Sequence, residues 1–162
     1  PVKFAWDGLG ENFLIVLKNG EVTIYDTSRN LTGIFSIKEG FTASMIHWNT
    51  SNNLRLSVGY DDRLIIMNPF KKELVDVVND KTKMFEWIGA ELYSYLTLDD
   101  MIYVRDAYGK QSVQVYSADK GTDKIAWSKQ KTFLSSFSST TNSIKIWILQ
   151  EKSHLYSIED SD

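Results

Sequence analysis

Four short segments that end in tryptophan set the pattern of this sequence: Phe4-Ala5-Trp6, Ile46-His47-Trp48, Phe85-Glu86-Trp87 and Ile125-Ala126-Trp127. The tryptophans are 42, 39 and 40 positions apart, and a large apolar residue stands two positions before each of them. In an extended strand, residues two positions apart point to the same face. The spacing therefore predicts a strand at the same place in each of four repeats of about 40 residues.

Each repeat contains three further strand signals around one turn. A segment rich in Ile, Val and Leu begins 15 to 17 residues after each tryptophan, at 22–26, 64–68, 102–106 and 144–148. A turn pair stands just before each of these segments: Asn19-Gly20, Asp61-Asp62, Asp99-Asp100 and Thr141-Asn142. Two more apolar runs complete each repeat, at 13–17, 54–58, 92–98 and 133–137 and at 31–37, 74–78, 113–116 and 155–158. The pattern predicts an all-β chain of sixteen short strands.

An antiparallel sandwich is the alternative all-β interpretation, because it also has frequent turn signals. It gives no reason for tryptophan to return four times at the same position of a four-strand repeat. Helical periodicity is not sustained anywhere in the chain.

Composition narrows the class of protein. The 162 residues are 43% hydrophobic and 13% aromatic, which is enough for a packed core, and the net charge is −3. No cysteine is present, which excludes disulfides, cysteine zinc sites and a thiol nucleophile. The sequence contains no run of 18 apolar residues, so it predicts no membrane span. The chain opens Pro1-Val2-Lys3-Phe4 without Met or an apolar signal segment, so we expect a piece of a longer intracellular protein, cytoplasmic or nuclear.

The end of the third strand in each repeat resembles the WD40 motif. Tyr25-Asp26 is similar to the Trp-Asp dipeptide, Met67-Asn68 and Arg105-Asp106 are degenerate forms, and Trp147 keeps the tryptophan. The Gly-His pair of that family is missing, so its hydrogen-bond network, with Asp61 and Asp99 as candidate turn aspartates, must be replaced or lost. The resemblance implies one partial WD40-like β-propeller over 1–162, with four four-stranded antiparallel blades at about 1–38, 39–79, 80–119 and 120–160.

That architecture implies roles for the tryptophans and for the ends of the array. The recurring Trp residues would fill the gaps between blades. Since propellers have 4 to 8 blades and repeat arrays need capped ends, we expect the remaining blades of a larger ring to come from further chain or from a partner. A closed four-bladed ring is the alternative.

The sequence predicts no catalytic residue, no cofactor site and no metal site. It has no Gly-x-Ser-x-Gly elbow and no phosphate-binding Gly-rich loop. His47 is interpreted as a partly buried structural residue and His154 as exposed, and neither has a second ligand at metal spacing. The pairs Asp61-Asp62 and Asp99-Asp100 fit turns better than acid–base chemistry.

Six residues are candidates for partner binding. The resemblance places 60–63 and 38–41 on one rim of the blades, and 70–72 and 108–110 on the opposite rim. An aromatic side chain beside a cation is a common pairing in interfaces. The candidates are Phe41, Tyr60, Arg63, Phe70, Arg105 and Tyr108.

The predicted function is that of a non-catalytic protein-binding scaffold, a propeller segment within a larger multi-protein complex. Its expected partners are other protein subunits, including one that would complete the propeller. An RNA- or ribosome-assembly-associated WD-repeat protein is the alternative, if the lysines 71, 72, 81, 83, 129 and 131 cluster. A propeller-fold enzyme ranks third.

Overall fold

The computed structural model describes residues 3–36 and 43–149 and the backbone of strand residues 157–159. These residues form sixteen strands and no helix. The strands build four separate four-stranded sheets, and each sheet is an antiparallel meander in chain order. The predicted all-β fold class, with four four-stranded antiparallel sheets, is confirmed.

The four sheets have the following strand bounds. The first contains β1 (Lys3–Trp6), β2 (Asn12–Val16), β3 (Glu21–Asp26) and β4 (Leu31–Ser36). The second contains β5 (Met45–Trp48), β6 (Leu56–Gly59), β7 (Leu64–Asn68) and β8 (Glu73–Val78). The third contains β9 (Thr82–Trp87), β10 (Leu92–Thr97), β11 (Met101–Asp106) and β12 (Gln111–Ser117). The fourth contains β13 (Thr122–Trp127), β14 (Phe133–Ser138), β15 (Ser143–Ile148) and β16 (Ser157–Glu159).

The described residues group into two compact units. The first unit is Pro1–Thr82 with Ala107–Lys110, and the second is Lys83–Asp106 with Gln111–Asp162. Each unit has a hydrophobic core of its own.

The core of the first unit lies between its two sheets. One face of the first sheet contributes Leu14, Val16, Val22 and Ile24, all at most 3% exposed. The second sheet contributes the ring of Trp48, together with Leu56, Val58, Tyr60 and Met67. Alternation along the strands thus places the aliphatic face of one sheet against the tryptophan face of the next.

The core of the second unit repeats this arrangement. Leu96, Ile102 and Val104 of the third sheet pack with Trp127 and with Leu134 and Trp147 of the fourth. Trp127 also donates its Nε1 hydrogen to Ser94 Oγ of the third sheet at 2.7 Å. A buried indole N–H needs such an acceptor, so this bond fixes how the ring sits.

The four repeated tryptophans do not share one environment. Trp48 and Trp127 are 4% and 9% exposed, as predicted for residues between blades, and Trp87 is half-buried against the rings of Phe85 and Tyr93. Trp6 differs, because its ring is 52% exposed. The residues that cover Trp48 and Trp127 come from the preceding sheet, and Trp6 lies in the first sheet of the chain.

The turn aspartates differ from the prediction in one respect. Asp100, not Asp99, accepts a hydrogen bond from Lys83 Nζ at 2.7 Å and from the Gly121 backbone N–H at 2.9 Å. In the same way Asp62, not Asp61, pairs with Arg63. The carboxylate of Asp119 forms an ion pair with Lys145 at 2.7 Å and accepts a hydrogen bond from Ser143 Oγ at 2.5 Å. Carboxylate–lysine pairs therefore join the turn before β11 to β9, and the segment before β13 to β15.

Candidate partner-binding hairpins

Three hairpin loops share one position in their sheets. In a meander, successive hairpins alternate between the two ends of the strands. The loop after the third strand therefore lies at the same end in every sheet. These loops are residues 27–30 after β3, 69–72 after β7 and 107–110 after β11. All three belong to the first compact unit. We call them the basic hairpins, because they contain Arg29, Lys71, Lys72 and Lys110 and no acidic residue.

The first basic hairpin is held by the aspartate that ends β3. The carboxylate of Asp26 accepts the backbone N–H of Asn30 at 2.8 Å and its side-chain N–H at 2.9 Å. The side-chain hydrogen bond from Asn30 lowers the pKa of Asp26. Arg29 lies between Asp26 and Asn30 in the sequence, and its own backbone φ is 67°. The loop is therefore fixed by hydrogen bonds to the side chain of the residue that ends the strand.

The second basic hairpin has the same design with a more buried cap. Asn68 is 5% exposed, and its Oδ1 accepts the backbone N–H groups of Phe70 and Lys71, both at 3.1 Å. The ring of Phe70 lies 5.8 Å from that of Trp48 and remains 37% exposed. Lys72 closes the loop with a φ of 59°. The hairpin thus presents an aromatic ring and two exposed lysines on a fixed backbone.

The third basic hairpin carries the most exposed aromatic ring of the set. Ala107 is buried, whereas Tyr108 is 78% exposed. Lys110 is exposed and has a φ of 53°. The third hairpin therefore repeats a left-handed cation near the end of its loop, at the last position like Lys72 and one position later than Arg29.

A cation in left-handed backbone is not what the turn itself favours. Glycine or asparagine adopts positive φ at little cost, whereas another residue type costs on the order of 1 kcal/mol. Positive φ is nevertheless found at Arg29, Lys72 and Lys110. In each of these sheets the pairing between the third and fourth strands shifts register just before the third strand ends. Repeated strain of this kind points to a role for the side chains themselves.

The structure places the six predicted residues in different surroundings. Phe70 and Tyr108 lie on the basic hairpins, and the half-buried Arg105 lies one residue before the end of β11. Arg63 lies at the opposite end of the strands, in the loop between β6 and β7, where it donates to Asp62 at 2.7 Å. Phe41 lies outside the described residues.

Tyr60 was predicted as a surface contact and is found in the core. Its side chain is 3% exposed and belongs to the core of the first unit, and burial raises its pKa to about 12. It follows Val58 by two positions and so continues the buried face of β6. His47 differs in the opposite sense, because it is exposed rather than partly buried. His154 lies outside the described residues.

Sequence reasoning missed two features of the first sheet. One is Arg29, whose signal was the recurrence of a cation in the same loop of three repeats. The other is an open cavity of about 430 Å³ beside it, lined by Trp6, Phe13, Ile15, Tyr25, Thr27 and Arg29. The rings of Trp6 and Phe13 lie 5.1 Å apart, and those of Phe13 and Tyr25 are stacked at 5.4 Å.

Neither a metal-binding cluster nor a membrane-spanning helix is found in the described part of the chain. No group of three or more His, Asp or Glu side chains in residues 3–36 and 43–149 is placed to hold a metal ion. The same residues contain no helix that is long and apolar enough to cross a membrane.

Comparison with known proteins supports the fold. No family model matches the sequence, and no curated protein matches it. Among solved structures, the chain is similar to the β-propeller domain of Cps50 (Swd1) from Myceliophteria thermophila, with a TM-score of 0.72 at 10% sequence identity. The match covers 98% of this chain and 58% of that chain, so the protein spans little more than half of that propeller domain. At this identity the likeness shows the fold, a WD40-like β-propeller segment, and nothing about activity.

Proposed function

We propose that this protein is a non-catalytic β-propeller scaffold of a larger intracellular multi-protein complex, and that its basic hairpins bind acidic segments of partner proteins. The observation that carries the proposal is the repeated left-handed cation at residues 29, 72 and 110. A rigid β frame that presents loops is a common basis for binding without catalysis.

Charge supports an acidic partner. The whole chain has a net charge of −3, yet the basic hairpins hold four cations, and the acidic residues next to them, Asp26, Glu73 and Asp106, belong to the adjoining strands. All four side chains are exposed. Phe70 and Tyr108 add exposed aromatic surface beside these cations, and such neighbours are typical of residues that dominate binding energy. An extended acidic peptide could pair with the cations and pack against the rings.

The position of other lysines favours protein over RNA as the partner. Lys83 pairs with Asp100, and Lys131 pairs with Glu86 at 2.5 Å. These two lysines of the second unit are thereby partly neutralised, so the extended basic stripe that sequence-independent RNA binding needs is reduced. A propeller enzyme has weaker support, because the sequence carries neither a hydrolase elbow nor a phosphate-binding loop.

The proposal is tested by measuring fluorescence anisotropy of a labelled oligoglutamate peptide and of a labelled oligouridylate of the same charge. We expect the peptide to bind with an affinity that falls as salt rises, and the nucleotide to bind more weakly. Tighter binding of the nucleotide would replace the protein partner with RNA. Binding of neither probe at low salt would overturn the proposed role of the hairpins.

A glycine variant separates binding from stability. Changing Arg29→Gly, Lys72→Gly and Lys110→Gly relieves the left-handed strain, so we expect the free energy of unfolding to rise by up to about 1 kcal/mol per substitution. The same variant removes three cations and should weaken peptide binding by about tenfold or more. The control is Lys18→Glu with Lys120→Glu. Both lysines are exposed and lie in loops at the ends of the strands opposite to the basic hairpins. If the control weakens binding equally, the hairpins are not the site.

A further inference from the structure

The last sheet has an apolar face that is largely exposed. Residues of β14 and β15 that point away from the core of the second unit include Phe133, Ile144 and Ile146, which are 47%, 60% and 41% exposed. Ser135 and Phe137 lie on the same face and are half-buried. We call these five residues the last-sheet face.

Strand register shows what this face is built to receive. In the third sheet Ser94 pairs with Val104, and Leu96 pairs with Ile102. In the fourth sheet Ser135 pairs with Ile146, and Phe137 pairs with Ile144. The last-sheet face therefore reproduces, position by position, the face of the third sheet.

The third sheet uses that face to hold a tryptophan from the next sheet. Leu96, Ile102 and Val104 are fully buried in one core with Trp127, and Ser94 accepts the indole N–H of Trp127. Ser135 thus stands where an indole acceptor is needed, and the residues around it supply the same kind of apolar surface.

The first sheet carries the opposite half of such a contact. Phe4 is 73% exposed and Trp6 is 52% exposed, and the rings of Phe13 and Tyr25 continue from Trp6 across the sheet. We call these four residues the first-sheet face. The matching row of the second sheet, Trp48, Leu56 and Met67, is buried against the aliphatic face of the first sheet.

We propose that the last-sheet face of one copy of this chain binds the first-sheet face of a second copy, with the Trp6 indole donating to Ser135 Oγ. The apolar part of the contact repeats the one that the chain makes twice within itself, once in each compact unit, and the indole–serine bond repeats the one between Trp127 and Ser94. Both complementary faces lie on the same chain, so two copies can join through this contact alone.

The contact joins two different faces and is therefore heterologous. Association also removes from water two apolar patches of a kind that soluble monomers rarely leave exposed. The inference goes beyond the proposed scaffold role, because it concerns sheet faces and not the basic hairpins.

The first test is the mass of the chain in solution, measured by sedimentation over a concentration series. We expect reversible self-association that begins with a species of two copies and increases as concentration rises. A monomer at every concentration overturns the proposal. Peptide binding by the basic hairpins is measured separately, so this result would leave the scaffold role standing.

Variants assign the faces. Trp6→Ser and Ile146→Asp each break one face at an exposed position and should both abolish the dimer. Ser135 Oγ donates to Ala126 O at 3.2 Å and keeps its lone pairs for the indole N–H, so Ser135→Ala should weaken association by about fivefold through loss of the intermolecular bond. Leu9→Asp is the matched control, because Leu9 is 70% exposed in the loop between β1 and β2 and lies on neither face. A dimer that survives both face variants, or is lost in the control, contradicts the assignment.

Mixing the two face variants tests the head-to-tail geometry. The Trp6→Ser chain keeps an intact last-sheet face, and the Ile146→Asp chain keeps an intact first-sheet face. An equal mixture can form one junction, so we expect a heterodimer although neither variant associates alone. A mixture that stays monomeric, while circular dichroism shows both variants folded, overturns the pairing of these two faces.

Discussion

Tyr116 has a buried hydroxyl that finds no hydrogen-bond partner among the described residues. Its side chain is 4% exposed, its ring packs edge-on to Trp147 at 5.2 Å, and burial raises its pKa. A buried hydroxyl without a partner costs roughly 1–3 kcal/mol, and phenylalanine keeps the ring without this group. We expect Tyr116→Phe to raise the free energy of unfolding by about 1 kcal/mol, measured by urea denaturation. A loss of stability would mean that the hydroxyl is bonded.

Gly121 combines two constraints that a second glycine lets us separate. Its φ is +73°, and an added Cβ would stand 2.1 Å from Thr140 Oγ1. Gly10 has nearly the same φ, +71°, but nothing within 4 Å of an added Cβ. We expect Gly10→Ala to cost about 1 kcal/mol for the backbone alone and Gly121→Ala to cost clearly more. Equal losses in thermal unfolding would show that Thr140 moves aside freely.

At the scale of the loop and strand, the aspartate–lysine pairs make the second unit sensitive to acid. Side-chain hydrogen bonds from Lys83 and from Lys145 lower the pKa of Asp100 and of Asp119. A carboxyl whose folded pKa lies below its unfolded value stabilises the fold above the unfolded pKa, and this stability is lost as pH falls through the folded pKa. The loss therefore belongs below about pH 4.

Asp100→Asn removes one of these carboxylates and should flatten the acid part of the stability curve. We expect the variant to be less stable than the wild type at neutral pH and to approach it below about pH 3, because the wild type has then lost the same ion pair. Unfolding by urea at several pH values measures this. Asp99→Asn, at the exposed neighbouring position, is the control and should leave the curve unchanged. Parallel curves for wild type and Asp100→Asn would contradict the assignment.

The strands could be predicted from the sequence, whereas the loop side chains could not. The four Trp positions were predicted as strand positions, and in the structure each ends the first strand of its sheet, because hydrophobic alternation records which face of a strand is buried. The same rule applied one residue beyond β6 would have placed Tyr60 in the core. The choice of Asp100 over Asp99 depends on Lys83 and Gly121, which are distant in sequence. No periodicity reports such contacts.

At the scale of the whole chain, exposure follows the position of a sheet in the array. Faces that meet another sheet within a unit are closed, as Trp48 and Trp127 show, while Phe4, Ile144 and Ile146 of the first and last sheets remain exposed. Sequence alone could predict that uncovered faces would exist, since four repeats are fewer than most propellers contain. It could not show that the two faces match, because the match appears only when strand register aligns Ser135 with Ser94.

The five tryptophans make this difference measurable in one experiment. Trp6 is 52% exposed and Trp87 is half-buried, whereas Trp48, Trp127 and Trp147 are at most 9% exposed. In dilute solution acrylamide should therefore quench mainly Trp6, and Trp6→Phe should remove most of the quenchable emission and shift the remainder to shorter wavelength. Trp127→Phe, the control, should leave the quenchable part intact. Because the proposed dimer places Trp6 against Ser135 of a second copy, quenching of the wild type should fall as concentration rises, and a quenching curve that is independent of concentration would mean that Trp6 stays in water.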